Sequence, residues 1–318
     1  MAPGLNSLKR RIVDDLTSQV GRHDERELFA EPSGDPGLMG PGSISWELHS
    51  DVSAVAIAGV GSIIMELLHP SVMAGVGLQS NYREQPYRRA RTTFGWVITT
   101  TFGSTAAAEE LIARVKRMHS RVNGIRPDGE PYSALDPELI AWVHSCIPWG
   151  VMTAYERFNR PLSVEEKDRY LAEQSVVGLM SGADEVPMTV SDLEAFVEDM
   201  RPKLEVSDLT REFFEFLIGG PLGAMRLPGP LGRQVKRFQV ESGMSLMPRW
   251  AQEMTGFDRP EIEQRLLHAN SMHSYARTLR WAFGTPPWRA LADERVGETT
   301  RAKSGTARRI ATTTPEAA

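Results

Sequence analysis

The sequence predicts an all-α fold, on three observations. Apolar residues recur at three- and four-residue spacing through most of the chain, as they do along one face of a helix. Helix-opening and helix-closing residues bracket those runs. No alternation of strands with helices is found. The chain has 318 residues and is 41% hydrophobic. That is enough to bury the core of one large domain or two modest ones.

Residues 1–42 read as a polar N-terminal arm and linker, with a short helix or arm at 5–20 and Gly/Pro-rich stretches at 31–37 and 40–42. Residues 43–292 form the helical body. The remainder, 293–318, is Thr-, Ala- and Arg-rich from about 297 and is expected to be disordered. Within the body, 45–68 reads as one long helix ended by His69-Pro70, followed by helices at about 71–78 and 86–102. Val97–Phe102 has strand-like composition but continues a helical segment. Ser104 or Thr105 caps the next helix, and Asn123-Gly124 is its stop signal. Asp136-Pro137 opens a helix that runs through Trp142 and His144 to Phe158, with a kink expected at Pro148. Capping boxes at Ser163–Glu166 and Ser191–Glu194 open two more. Segments 208–218 and 258–282 complete the set.

The bulk properties bound the function. A net charge of -5 calls for no nucleic-acid or anionic-membrane partner. The single cysteine, Cys146, excludes an intrachain disulfide framework and thiolate-rich metal sites, and fits a reducing compartment. Lys9, Arg10 and Arg11 are followed by Asp14 and Asp15 with no apolar core, which is not a signal-peptide pattern, so a cytoplasmic location is expected. Val52–Leu68 is the most apolar stretch. It contains Gly59, Gly61, Ser62 and Glu66, falls short of a comfortable bilayer span, and reads as a buried helix, with no stable membrane insertion.

Familiar chemical motifs are missing: GxGxxG, Walker, HExxH and GxSxG patterns do not occur. The glycine cluster at 219–232 carries prolines that remove amide donors, so it reads as a loop. Glu66-Leu-Leu-His69 has Glu-x-x-His spacing once only, and His69 reads as complementing a helix C-terminal dipole. His268 and His273 lie off same-face spacing. His49 and His144 are ordinary histidines on first reading. His119 stands out because it lies on the apolar stripe 111, 112, 115, 118 and 122, which turns its imidazole inward. A buried imidazole needs a hydrogen-bond partner or a metal, and spacing alone leaves both open. Arg89 and Thr93 share one helix face four residues apart. An inward arginine calls for an anion or polar ligand; an outward one is simply solvated.

The ordered series His69-Pro70, Pro86-x-x-Arg89-x-x-x-Thr93, Phe102-Gly103, His119-x-x-Val122-x-Gly124, Asp128-Gly129-x-Pro131-Tyr132-x-Ala134-x-Asp136-Pro137, Trp142-Val143-His144-Ser145 and Ala154-Tyr155-Glu156-Arg157-Phe158 resembles the MpaB / rubber-oxygenase (latex-clearing protein) catalytic-domain family over about residues 45–285. That resemblance implies a single globin-like multi-helix domain enclosing a pocket for haem b. It implies an oxygenase that uses dioxygen on a small apolar substrate such as an isoprenoid or terpenoid. His119 matches the proximal iron ligand, and Arg89 and Thr93 match haem-pocket residues. Thr92 stands where latex-clearing proteins carry a distal lysine. On this reading Arg89, Thr92 and Thr93 are the catalytic candidates, and His119, Arg89 and His144 bind the cofactor, with His144 orienting a propionate. Thr153 and Tyr155 are packing residues. A non-catalytic haem-binding sensor or carrier is the alternative, and a helical interaction protein without cofactor the third reading.

Overall fold

In the computed structural model, residues 6, 7, 9, 10, 13, 26–219, 240–257 and 271–297 are described. The elements in chain order are α1 (Arg26–Ala30), α2 (Ile44–Ser50), α3 (Val52–Leu67), α4 (Pro70–Gln79), α5 (Pro86–Phe102), α6 (Thr105–His119), β1 (Asn123–Ile125), β2 (Pro131–Ser133), α7 (Pro137–Phe158), α8 (Val164–Ser181), α9 (Val190–Met200), α10 (Asp208–Gly219), α11 (Arg249–Thr255) and α12 (Ser271–Phe283). A further helical segment, α13, covers 287–297. The all-α expectation holds, and Val97–Phe102 is helical as read. The expected helix at 258–282 is described only from Ser271, and the glycine cluster beyond Gly219 lies outside the described residues.

Helices α3 and α7 form the centre, side by side, because small residues let them approach. A Cβ placed on Gly150 of α7 would sit 2.1 Å from Ser62 Oγ of α3. Around this pair Leu48, Ile57, Ala58, Val151, Tyr155, Tyr170 and Met272 fill one core. Ile64, Leu67, Met73, Trp142, Met200, Phe213 and Met247 fill the next. Helix α8 packs on α7, and α12 on α3.

Several expectations are corrected. The helix read at 45–68 is two helices bent by 88°. Asp51 makes the corner: its backbone is extended, its carboxylate caps α3 through Ser53 and Ala54 N–H, and its other oxygen receives Asn159 and Arg280. Among the described residues no single helix is long and apolar enough to cross a membrane, although this bent pair passes by length and composition. The helix carrying His119 stops at His119 itself. Asn123-Gly124 belongs to a short antiparallel hairpin, with Asn123 opposite Ser133 and Ile125 opposite Pro131. Helix α7 runs from Pro137 to Phe158 with Pro148 inside it, as read. The box read at Ser191 lies two residues earlier, where Thr189 and Asp192 cap α9 reciprocally. Residues 293–297, assigned to the tail, continue α13, and Arg295 within them is buried.

Arg295 explains that order. Its guanidinium donates to the carbonyls of Phe29 (2.7 Å), Asp35 (2.8 Å) and Gly103 (3.2 Å). Asp35 in turn accepts from the backbone N–H of Thr105 (3.1 Å) and from its hydroxyl (2.9 Å), and Ser104 N–H donates to Leu28 O (2.9 Å). The Gly/Pro loop of the arm and α13 are thereby fastened onto the α5–α6 junction.

Candidate functional site

Helices α5 and α6 run back from that junction as a hairpin, with Arg89 near the open end of one arm and His119 at the tip of the other. Helix α3 brings Glu66 and α7 brings His144 to the same region. The electrostatics link the four in series. Burial pushes the Glu66 carboxyl up to about 8, against the opposing pull of Arg89. Burial lowers Arg89, with Glu66 opposing. Burial lowers His119, and the positive charge of Arg89 adds to it. Burial lowers His144 to about 4, with His119 adding to the effect. At neutral pH the two imidazoles are therefore neutral, Glu66 is largely protonated, and Arg89 carries the charge.

None of these four side chains has a hydrogen-bond or ion-pair partner among the described residues. None of their polar atoms is among the described buried atoms left without a partner, which are Tyr82 Oη, His273 Nδ1 and Trp288 Nε1. Arg89 is exposed to water, and the bulk around its guanidinium still lowers its pKa. His119 and His144 are half-buried, so the imidazole of His119, read as turned inward, is partly open to solvent at the end of α6. Of that stripe only Ile112 is buried; Met118 is 46% exposed. A narrow cleft of about 10 Å³ adjoins His144 and is walled by Trp96, Thr100, Pro148, Gln174 and Val177. The Trp96 ring stands 5.9 Å from the His144 ring.

The other expected site residues fall differently. Thr92 and Thr93 lie exposed on α5, and their hydroxyls donate to the Arg88 and Arg89 carbonyls of their own helix (2.9 and 3.3 Å). His69 does not complement a C-terminal dipole. It caps the start of α4, its Nδ1 accepting from Ser71 N–H at 3.2 Å, and burial holds its pKa near 4, so it acts as a neutral acceptor. His49 is buried between Thr101 and Tyr170. Thr153 bonds within α7, and Tyr155 packs in the core with its hydroxyl donated to Glu47. His268 is outside the described residues; His273 stacks edge-on against Phe158, away from these groups. Among the described residues no group of three or more His, Cys, Asp or Glu could hold a bare metal ion.

Glu66 is the member that sequence reading missed. Its signal was present: a lone carboxylate inside the most apolar stretch of the chain, close enough to Cys146 to help burial raise that thiol well above its usual range. A carboxyl placed there is costly unless neutral or partnered.

Comparison with known proteins adds the following. Residues 46–281 match the family model described as "ER-bound oxygenase mpaB/B'/Rubber oxygenase, catalytic domain". The chain is 28% identical over 209 residues to an uncharacterized protein of Mycobacterium bovis, Mb2261, covering 64% of this chain and 81% of that protein. The same identity and coverage hold for an uncharacterized protein of Mycobacterium tuberculosis, Rv2237. No solved structure matches.

Proposed function

The chain belongs to the MpaB/rubber oxygenase catalytic-domain family, and from that membership we propose that it is a haem b-dependent oxygenase acting with dioxygen on a small apolar substrate. One observation carries the reading. Glu66, Arg89, His119 and His144, from four helices, sense one another's charge while none has a protein partner among the described residues.

The residues present fit haem. The C-terminal half of α6 offers an incompletely covered apolar face with an imidazole at its end, suited to a flat apolar ring. Arg89 offers a fork of donors suited to a propionate carboxylate. Haem, when bound, would supply an iron centre able to activate dioxygen, and His119 would hold it. The chain's own contributions follow from the electrostatics. His119 stays unprotonated because burial and Arg89 both disfavour its cation, which leaves a ring nitrogen lone pair free for ligation. His144, neutral and set against Trp96, presents a ring nitrogen toward a second carboxylate or a polar substrate group. Glu66 holds a proton at its carboxyl at neutral pH and can release it in a polar transition state, the role of a group tuned near working pH. The narrow cleft beside His144 sets Trp96, Pro148 and Val177 against the polar groups of Thr100 and Gln174, a wall that would offer an apolar substrate both packing and a polar contact.

The non-catalytic carrier reading draws on a specific observation: the hydroxyls of Thr92 and Thr93 are spent on their own helix, so neither is aimed at a ligand. Two measurements separate the readings. Protein purified after expression with haem precursor is expected to show a Soret band that His119→Ala abolishes or shifts strongly; an unchanged band refutes the ligand assignment. Dioxygen uptake with isoprenoid substrates is expected for the oxygenase, whereas a stable oxygenated form without product supports the carrier.

A further inference from the structure

We propose that Tyr170 and His49 form a redox-active tyrosine–histidine pair, one layer behind the cleft wall, that takes up one-electron oxidising equivalents. Its role as a sink for the cleft rests on the oxygenase reading; its redox activity does not.

The hydrogen-bond network fixes where each proton sits. Tyr170, on α8, is fully buried, and its hydroxyl lies 2.7 Å from His49 Nε2. His49 Nδ1 lies 2.7 Å from Thr101 Oγ1. The Thr101 hydroxyl gives its own hydrogen to the Val97 carbonyl at 2.8 Å. Its oxygen is therefore the acceptor for His49 Nδ1–H, which leaves the lone pair on Nε2, so the Tyr170 phenol donates. A buried phenol thus points its proton at a neutral base through a short hydrogen bond. Burial holds that base unprotonated, its pKa near 3.

The other buried phenols differ. Among the described residues the Tyr82 hydroxyl has no partner, and the Tyr132 hydroxyl accepts from Gln79 Nε2 at 2.6 Å. The Tyr155 hydroxyl donates to Glu47, a carboxylate also held by Arg160. The pair also adjoins the site. Thr100 lines the cleft and its neighbour Thr101 holds His49, while Gln174, one helical turn beyond Tyr170, lines the cleft from α8.

The step balances as follows. One electron leaves the phenol for a high-potential one-electron oxidant: the oxidised haem cofactor in the proposed reaction, or a ruthenium(III) polypyridyl complex in the test. The phenol O–H bond breaks, and its proton crosses the existing hydrogen bond to form an N–H bond at His49 Nε2. The products are a neutral tyrosyl radical and an imidazolium. Burial opposes the imidazolium, but a phenol radical cation is a far stronger acid, so the transfer still runs downhill. Return of one electron restores both groups.

The test is flash photolysis of the full-length protein with a ruthenium polypyridyl photo-oxidant and a sacrificial acceptor, read by transient absorption and EPR. A neutral tyrosyl radical that outlives that of free tyrosine is expected. Tyr170→Phe should abolish it and Tyr155→Phe should leave it intact. His49→Phe, which removes the base, should slow its formation at least about tenfold, corresponding to the loss of a hydrogen bond to a charged product. Full radical yield in a folded Tyr170→Phe protein, or no long-lived radical in the wild type, overturns the proposal. Electron–nuclear double resonance of the wild type in D2O decides without any variant. A deuteron hydrogen-bonded to the phenoxyl oxygen is expected, and its absence overturns the proposal. Failure of haem binding leaves every one of these outcomes readable.

Discussion

Replacing Glu66 by glutamine keeps the shape of the side chain and removes its titration. The carboxyl moves from an ordinary 4.5 to about 8 in the folded protein. Below 4.5 it is neutral in both states and contributes no pH dependence. Between the two values the unfolded chain is ionised while the folded one keeps its proton, so stability falls as pH rises and levels off above about 8. At ~1.36 kcal/mol per pH unit, the loss amounts to about 5 kcal/mol at the plateau, and about 3 kcal/mol is already lost at pH 7. Glu66→Gln should erase this slope. Urea unfolding followed by tryptophan fluorescence, on both proteins in the same cofactor state, should give curves that diverge between pH 5 and pH 9. Across that interval the variant should gain about 4 kcal/mol on the wild type. Parallel stability profiles for the two proteins would falsify the claim that Glu66 is buried as a neutral acid.

Three further outcomes are expected. His69 sits near 4 against an ordinary 6.5, so the unfolded state takes up its proton first. Stability is present above 6.5 and is lost as pH falls through about 4, by ~3 kcal/mol in all, and His69→Ala should remove that acid-side loss while costing about 1 kcal/mol as a lost cap, both read from urea midpoints. Gly150→Ala places a methyl 2.1 Å from Ser62 Oγ and should turn that hydroxyl away from the Cys146 carbonyl, lowering stability by about 1–3 kcal/mol; an unchanged thermal midpoint would contradict the close α3–α7 packing. Arg295→Leu leaves three carbonyls without their donor and should cost about 3 kcal/mol or more, with hydrogen exchange rising first at 28–37 and at the α5–α6 junction.

Much of the helical order was legible because caps and periodicity are local. Asp136, Ser163 and Ser104 all cap where they were read to cap. What escaped depends on contacts across the chain. The corner at Asp51 is stabilised by Asn159 and Arg280, far off in sequence, so periodicity ran straight through it. The hairpin at Asn123–Ser133 is too short to show an alternating pattern, and α13 looked like tail until Arg295 found three carbonyls. At the site, the apolar stripe pointed to His119 and the four-residue spacing to Arg89, and both reach one region. Glu66 could not be joined to them from sequence, because its neighbours Arg89 and Cys146 arrive from other helices.

The Arg295 clamp has a mechanical consequence. It rivets the α5–α6 hairpin at its closed end, where Gly103 turns and Asp35 grips Thr105. Arg89 and His119 sit at the free ends of the two arms. Both residues lie roughly 20–25 Å from that junction at ~1.5 Å per residue, joined to it by continuous helix. Loosening the hold of Arg295 on the Gly103 carbonyl, or of Asp35 on Thr105, is therefore expected to disturb the hairpin that carries Arg89 and His119.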